Sequence, residues 1–398
     1  MTHLTDEQIR WFRQRRSGLV APFGTPEDAA AALGGVQAQI LSAAMLALWN
    51  RSATGAKSAE ALGGRLFDER TLVRLWGQRH TLHLYASADW PIIHATFAQR
   101  RTWWERQAAL GKDIDLAAHH QGVAQVGVLL KRHGTLSRKQ LRASGLDLPP
   151  ALLSPWGGVF AELVRIGVAC LARWEGGEAR YAHREHWLPG LAWTAPTAAE
   201  ARAGLARRYF ACYGPASLAD FAYWLGLTEA TTRSGSDAWR EHLVPVEAGT
   251  SGGRKLFALA ADLPSLLEAP PPPEQWPVRL LGRFDPLLLA HRDKDWVVPA
   301  KYYSRVWRPA GHIEGVVLDQ GQAVATWRYD RIGTGKLSVR VYPFRARLPV
   351  RVGQAVRRQA RGVARFFGLK LSALTVHAAA PPARAARAAR APKAEPGC

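Results

Sequence analysis

Cysteine is nearly absent. The three in 398 residues, Cys170, Cys212 and Cys398, lie far apart and form no C-x-x-C pair. That spacing excludes a disulfide framework and a thiolate zinc site and points to a reducing compartment. Acidic side chains are scarce as well: 32 Asp and Glu stand against 53 Lys and Arg, a formal charge of +21. A polyanion is the default partner of such an excess. Long apolar runs are missing, since the richest, Ile40 to Trp49, falls well short of the ~20 residues of a membrane span. The sequence holds no G-x-x-x-x-G-K-[ST] loop, no strand-linked G-x-G-x-x-G, no G-x-S-x-G and no H-E-x-x-H. ATPase, dehydrogenase and zincin chemistry lose their usual support. His183 and His186 have no further ligands near them in sequence, so neither a metal nor any other cofactor is expected.

What is present suits a large folded body: 47% of residues are apolar and 16 are tryptophan, enough for several domains. Thr5-Asp6-Glu7-Gln8 ahead of Ile9, Trp11 and Phe12 reads as a capping box opening a helix. It contains no apolar signal-peptide core, and a cytoplasmic protein is expected. Residues 378–398 repeat Pro, Ala and Arg with little to bury and read as a disordered basic tail. Most of the positive charge remains in the body without it.

A helix-to-strand pattern recurs along the chain. Gly134-Thr135-Leu136-Ser137 caps a short helix, Trp156 to Val164 is helical, and two strands around Glu175-Gly176-Gly177-Glu178 form a hairpin. Helix, helix, strand, turn, strand is the winged-helix plan. A second instance has helices at Leu205 to Tyr213 and Leu218 to Leu225, then strands at Leu243 to Glu247 and Lys255 to Leu259 about a Gly249 to Gly253 turn. A third, at the N-terminus, has helices near residues 5–16, 26–33, 39–50 and 57–67, then strands Thr71 to Trp76 and His80 to Leu84. The reading is an α+β chain of tandem winged-helix modules at 1–120, 121–195 and 196–269, and a Pro-rich linker at 270–277. A small β-rich C-terminal domain follows at 278–377, closed by a helix from about Gly353 to Phe367.

Gly34-Gly35-Val36-Gln37-Ala38-Gln39-Ile40 places two amides two residues apart after a glycine pair. On an α-helix such residues point about 200° apart and cannot share a site; in extended backbone or at a helix start they can converge. Residue type alone leaves polar filler and catalysis both open. His83 reads either as a strand residue bonded to backbone or as a site residue, and Asp285 before Pro286 either fixes a turn or touches a sugar. The charged turn His291 to Asp295, with Arg292, is either a DNA contact or a solvated loop. Arg357, Arg361 and Arg365 recur at i, i+4 and i+8 with Arg358 beside them and no acid between Arg345 and Arg365, a stripe suited to phosphate. Arg100, Arg101, Trp103, Trp104 and Arg106 form a second basic and aromatic group.

The Gln37-Ala38-Gln39 triplet, the segment Arg79-His80-Thr81-Leu82-His83-Leu84 and the block Leu280 to Pro286 running to Trp327-Arg328 together resemble the AlkZ and YcaQ family of winged-helix DNA glycosylases, over roughly residues 4 to 375. A second glutamine, where the YcaQ branch has an acid, places the chain nearer the AlkZ branch. The resemblance implies catalytic Gln37 and Gln39, and a monomeric enzyme acting on double-stranded DNA that carries alkylated bases. It also implies unhooking of bulky antibiotic adducts and interstrand crosslinks, often for self-resistance in producing bacteria. Arg79, His83, Arg292 and the Arg357, Arg358, Arg361 and Arg365 stripe are the expected DNA contacts. No lysine adjoins the glutamines in sequence, so excision without lyase chemistry is expected. The competing reading is a winged-helix transcriptional regulator, for which no effector domain is recognisable.

Overall fold

The computed structural model describes residues 2–154, 158–233, 237–249 and 254–378. Trp156, most of the Gly249–Gly253 turn and the tail from residue 379 lie outside the described residues.

Local signals start most helices. Thr5 and Gln8 exchange hydrogen bonds as a capping box for Asp6–Arg16; its Ile9 and Phe12 pack with Leu4, Val246 and Leu256. Capping boxes also start Pro26–Ala32 and Arg138–Arg142. A Thr197/Glu200 box starts the helix Ala198–Tyr213, well before the apolar pattern at Leu205. Leu41–Trp49 has no such cap: Ile40 precedes it in extended backbone with no side-chain bond.

The strands assemble into three sheets. The largest runs in the order Val36–Gln37, Leu82–Ala86, Leu72–Trp76, Ala169–Leu171, Arg180–His183, Thr135–Ser137. The hairpins of the first two helical regions therefore belong to one sheet, joined at the pair Arg74 and Leu171. The second sheet is the hairpin Leu243–Ala248 and Arg254–Leu259, extended by Thr2–Leu4 running parallel to Leu243–Ala248. In the third, Arg279–Leu281, Gly315–Asp319, Gln322–Ile332 and Lys336–Pro343 form an antiparallel meander. Lys370–Val376 then adds a parallel strand to its edge. Thr2–Leu4 and Lys370–Val376 are not signalled by the sequence pattern, since each pairs with a strand far from it in sequence or across the closing helix. The closing helix, Val350–Phe366, starts after Pro349 and turns Val352, Val356, Val363 and Phe366 inward.

Mainly antiparallel sheets with helices segregated around them make the class α+β. One apolar core runs from Leu33 through Leu84, Phe160 and Trp224 to Val341 and Val356. A second, around Leu281, Leu287, Leu288, Val297 and Val316, includes Leu19 from the first helical segment. Both cores join residues from opposite ends of the chain, so the three helical regions and the C-terminal sheet bury one another. No helix among the described residues is long and apolar enough to cross a membrane.

Candidate active site

The glycine pair admits two aromatic rings, Trp224 against Gly34 and Tyr85 against Gly35. A Cβ on Gly35, which has φ +102°, would lie 2.3 Å from the Tyr85 ring, and one on Gly77 would lie 1.8 Å from its hydroxyl. That hydroxyl donates to Gln78 Oε1, and the Gln78 amide donates to the Gly34 carbonyl. The turn before Gln37 and the turn of the 72–86 hairpin are thereby tied together. Val36 and Gln37 pair in register with Leu84 and His83, after which the chain bends into Leu41–Trp49. The glutamines thus occupy extended backbone and a helix start, the arrangement in which residues two apart can serve one site.

Each amide is anchored to the same hairpin. Gln37, 7% exposed, accepts from Arg79 Nη2 at 3.0 Å. Gln39, which is exposed, accepts from the Leu82 N–H at 3.1 Å. Each Oε1 accepts one hydrogen bond, and among the described residues neither Nε2 has a partner, so each amide has its NH₂ to offer. Arg79 also donates to the Trp224 carbonyl at 2.7 Å. A Cβ at Gly226 would lie 2.7 Å from the Arg79 backbone, so glycine there lets the end of Leu218–Leu225 reach the turn. Burial lowers the Arg79 pKa, and its partners are neutral: an amide and a carbonyl. His83 is buried, with Nδ1 2.9 Å from the Thr81 carbonyl and its ring stacked on Tyr85 at 5.7 Å. Burial, with Arg79 and Arg100 adding to it, holds its pKa at about 3.

The block Leu280 to Pro286 is the mount for this motif. Asp285 accepts from Arg51 Nη1 at 2.9 Å and Nη2 at 2.7 Å, caps the Leu287 N–H at 3.0 Å and is fully buried with Arg51. The turn role expected of Asp285 is present, and the ion pair adds a clamp just beyond the helix that begins after Gln39 and Ile40. Trp327 Nε1 donates to the Leu281 carbonyl at 2.7 Å. Tyr329 and Ser42 hydroxyls meet at 3.1 Å in the first turn of the same helix.

The cations singled out in the sequence lie at different depths around this motif. Arg100 donates to carbonyls of Gly77, Leu225 and Gly226. Lys294 is buried beneath Tyr223, 4.5 Å from the ring centroid, and near Trp307. It donates to the His291 carbonyl, and burial followed by Arg79 lowers its pKa to about 7. Arg292 is exposed, and its backbone N–H donates to Asp220 at 2.8 Å. Arg357, Arg358, Arg361 and Arg365 are all exposed on the closing helix, and among the described residues none pairs with a carboxylate. Gly362 of that helix abuts Trp49, the far end of Leu41–Trp49, so about 13 Å of helix separates the stripe from the glutamines.

The profile of the AlkZ-like DNA glycosylases matches residues 30–366. The chain belongs to this DNA glycosylase family. It is 30% identical over 357 residues to the interstrand DNA cross-link repair glycosylase of Streptomyces sahachiroi, covering 86% of this chain and 91% of that one. The solved structure of the Streptomyces sahachiroi DNA glycosylase AlkZ superposes with a TM-score of 0.78 at 26% identity, covering 94% of this chain and all of the other. Membership makes a DNA-acting enzyme of the chain and does not favour the regulator reading.

Proposed function

We propose that this AlkZ-like glycosylase hydrolyses the N-glycosidic bond of N7-alkylated purines in duplex DNA, including bulky and interstrand-crosslinked ones, with Gln37 and Gln39 at the reaction centre. The observation that carries the reading is the shared anchoring of both amides on residues 79–82, which leaves two NH₂ groups at one end of a buried hairpin. Alkylation at N7 makes the purine cationic, so the base departs neutral and needs little acid assistance. What remains is an oxocarbenium-like sugar and an attacking water. Fixed amide dipoles position the water without adding charge beside the developing cation. The cross-link repair named for the Streptomyces relative supports the bulky-substrate part.

In the same reading the three hairpins are the wings of tandem winged-helix modules, with boundaries near residues 120, 195 and 269, and a monomer engages the cytoplasmic, nucleoid-borne chromosome. Arg292 and the exposed arginines of the closing helix supply phosphate contacts. Arg79 is spent on Gln37 and a carbonyl, which suits it to positioning as much as to DNA contact. No lysine hydrogen-bonds either glutamine among the described residues, and Lys294 is held on the His291 carbonyl. Excision is therefore proposed without a lyase step. The test is release of free 7-methylguanine from a defined duplex, run with and without borohydride. Free base with an intact strand and no trapped protein–DNA adduct is expected; an adduct lost in Lys294→Ala would overturn the lyase part, and absence of free base the whole.

A further inference from the structure

We infer that His83 is the proton acceptor for the attacking water, its Nε2 lone pair completing a site whose donors are the Gln37 and Gln39 amides. The inference rests on the glycosylase reading above and names the group that reading lacks. With each Oε1 already accepting a hydrogen bond, the amides present NH₂ groups, which can hold a water by its oxygen but cannot take its proton. The strand register supplies an acceptor. His83 lies directly opposite Gln37 in the antiparallel pair, and such partners project from the same face with Cβ atoms about 4.5–5.5 Å apart.

The tautomer follows from its one fixed partner. The Thr81 carbonyl 2.9 Å from Nδ1 can only accept, so Nδ1 carries the proton and Nε2 of the neutral ring bears a bare lone pair. Among the described residues Nε2 has no partner, although the side chain is 3% exposed. The charged and titratable groups around the ring are Arg79 on its own hairpin, Arg100 from the segment after Trp90–Phe97, and Tyr85 on its own strand. None is a carboxylate. The ring is consequently neutral throughout the physiological range, and a neutral acceptor does not repel a sugar cation forming beside it.

The step balances. The C1′–N9 bond breaks and its electron pair leaves with the base, discharging the N7 cation. The water oxygen forms the C1′–O bond, and one proton passes from that water to Nε2 and then to solvent. Water bonded to a nearly formed cation is strongly acidic, so an imidazole of low basicity suffices, and phosphates entering beside Arg79 raise that basicity.

The experiment is single-turnover excision of 7-methylguanine from a duplex by the full chain, by His83→Asn, His83→Gln and Gln37→Ala. Asparagine keeps a donor for the Thr81 carbonyl and removes the acceptor; glutamine reaches the Nε2 position with an amide oxygen. The Asn variant is expected to lose about 10²-fold or more, the usual span of acid–base assistance, with duplex affinity and melting temperature close to wild type. The Gln variant is expected to lose about as much, because its amide oxygen can hold a water but is too weak a base to take its proton. An Asn variant at the wild-type rate overturns the inference, as does a Gln variant that regains the rate, which would assign His83 to holding the water instead of taking its proton. A wild-type chain that releases no base overturns the glycosylase reading and this inference with it, which separates the two failures.

Discussion

Two arginines sit at opposite ends of the segment that carries the glutamines, and their partners differ in one respect. Arg51 is wholly buried and bidentate on Asp285, so its charge is cancelled where it lies. Arg79 is half-buried and bound to an amide and a carbonyl, so its charge remains. The first arrangement fixes the helix Leu41–Trp49 on the C-terminal sheet. The second leaves positive potential beside Gln37, together with Arg100 and Lys294, in a region that must receive a polyanion. At these two arginines, compensation goes with the scaffold and its absence with the site.

The sharpest way to break this contrast is to uncouple Arg51. Asp285→Ala leaves a buried cation unpaired and removes a helix cap; the expected destabilisation is about 3–5 kcal/mol, read by denaturant unfolding. Asp285→Asn, which keeps the cap, should lose less. A melting curve unchanged by either substitution would show that the pair holds nothing.

Next in size are the glutamines. Gln37→Ala and Gln39→Ala should each slow single-turnover excision by about 10²- to 10³-fold, roughly 2.7–4 kcal/mol in the barrier. If both hold one water, the double variant should be little worse than the poorer single. Duplex affinity should barely move, because phosphate contacts dominate binding. Wild-type rates in both singles would remove the triplet from the mechanism. A large fall in stability with the slow rate would assign the amides to the helix start instead.

The contrast also has a pH signature. Burial and Arg79 hold His83 at about 3, and burial with Arg13 and Lys294 holds His291 well below its ordinary value. Both are neutral when folded and protonate near 6.5 when unfolded. Between about pH 5 and 6.5 the unfolded chain binds more protons, so stability falls as pH falls, by up to about 1.4 kcal/mol per pH unit for each such histidine. The contribution is fully present above pH ~6.5. His83→Asn should flatten the slope of unfolding free energy against pH by one histidine's share, and an unchanged slope would mean the ring is protonated in the fold.

Much of the scaffold was legible because it is local. The Thr5/Gln8 and Ser137/Gln140 capping boxes, the hairpin glycines and the alternation of Lys336 to Pro343 each signal structure within a few residues. What escaped is non-local. The two-residue strand Val36–Gln37 exists only because Leu82–Ala86 lies beside it, and Thr2–Leu4 only because Leu243–Ala248 does. Gln37 and Gln39 were recognisable as a motif, yet their common anchor on Arg79 and Leu82 depends on a turn with positive φ at Arg79 and His80. Lys294 looked like one charge in a polar loop, whereas aromatic rings from two other segments cover it.

The smallest expected effect concerns the exposed cations, which extend the uncompensated side of the comparison to the surface. Arg357, Arg361 and Arg365 share one face of the closing helix, lack carboxylate partners among the described residues, and stand one short helix away from the glutamines. Each phosphate neutralised contributes about −0.9 to the slope of log K against log salt. Replacing all three by Ala should therefore flatten the slope for undamaged duplex by up to roughly 2.7. The stripe is exposed and its apolar neighbours Val352, Val356 and Val363 carry the packing, so thermal stability and single-turnover excision at saturating protein should stay near wild type. A triple variant with the wild-type slope would mean that this helix faces away from DNA, and that the phosphate contacts lie with Arg292 and the hairpins instead.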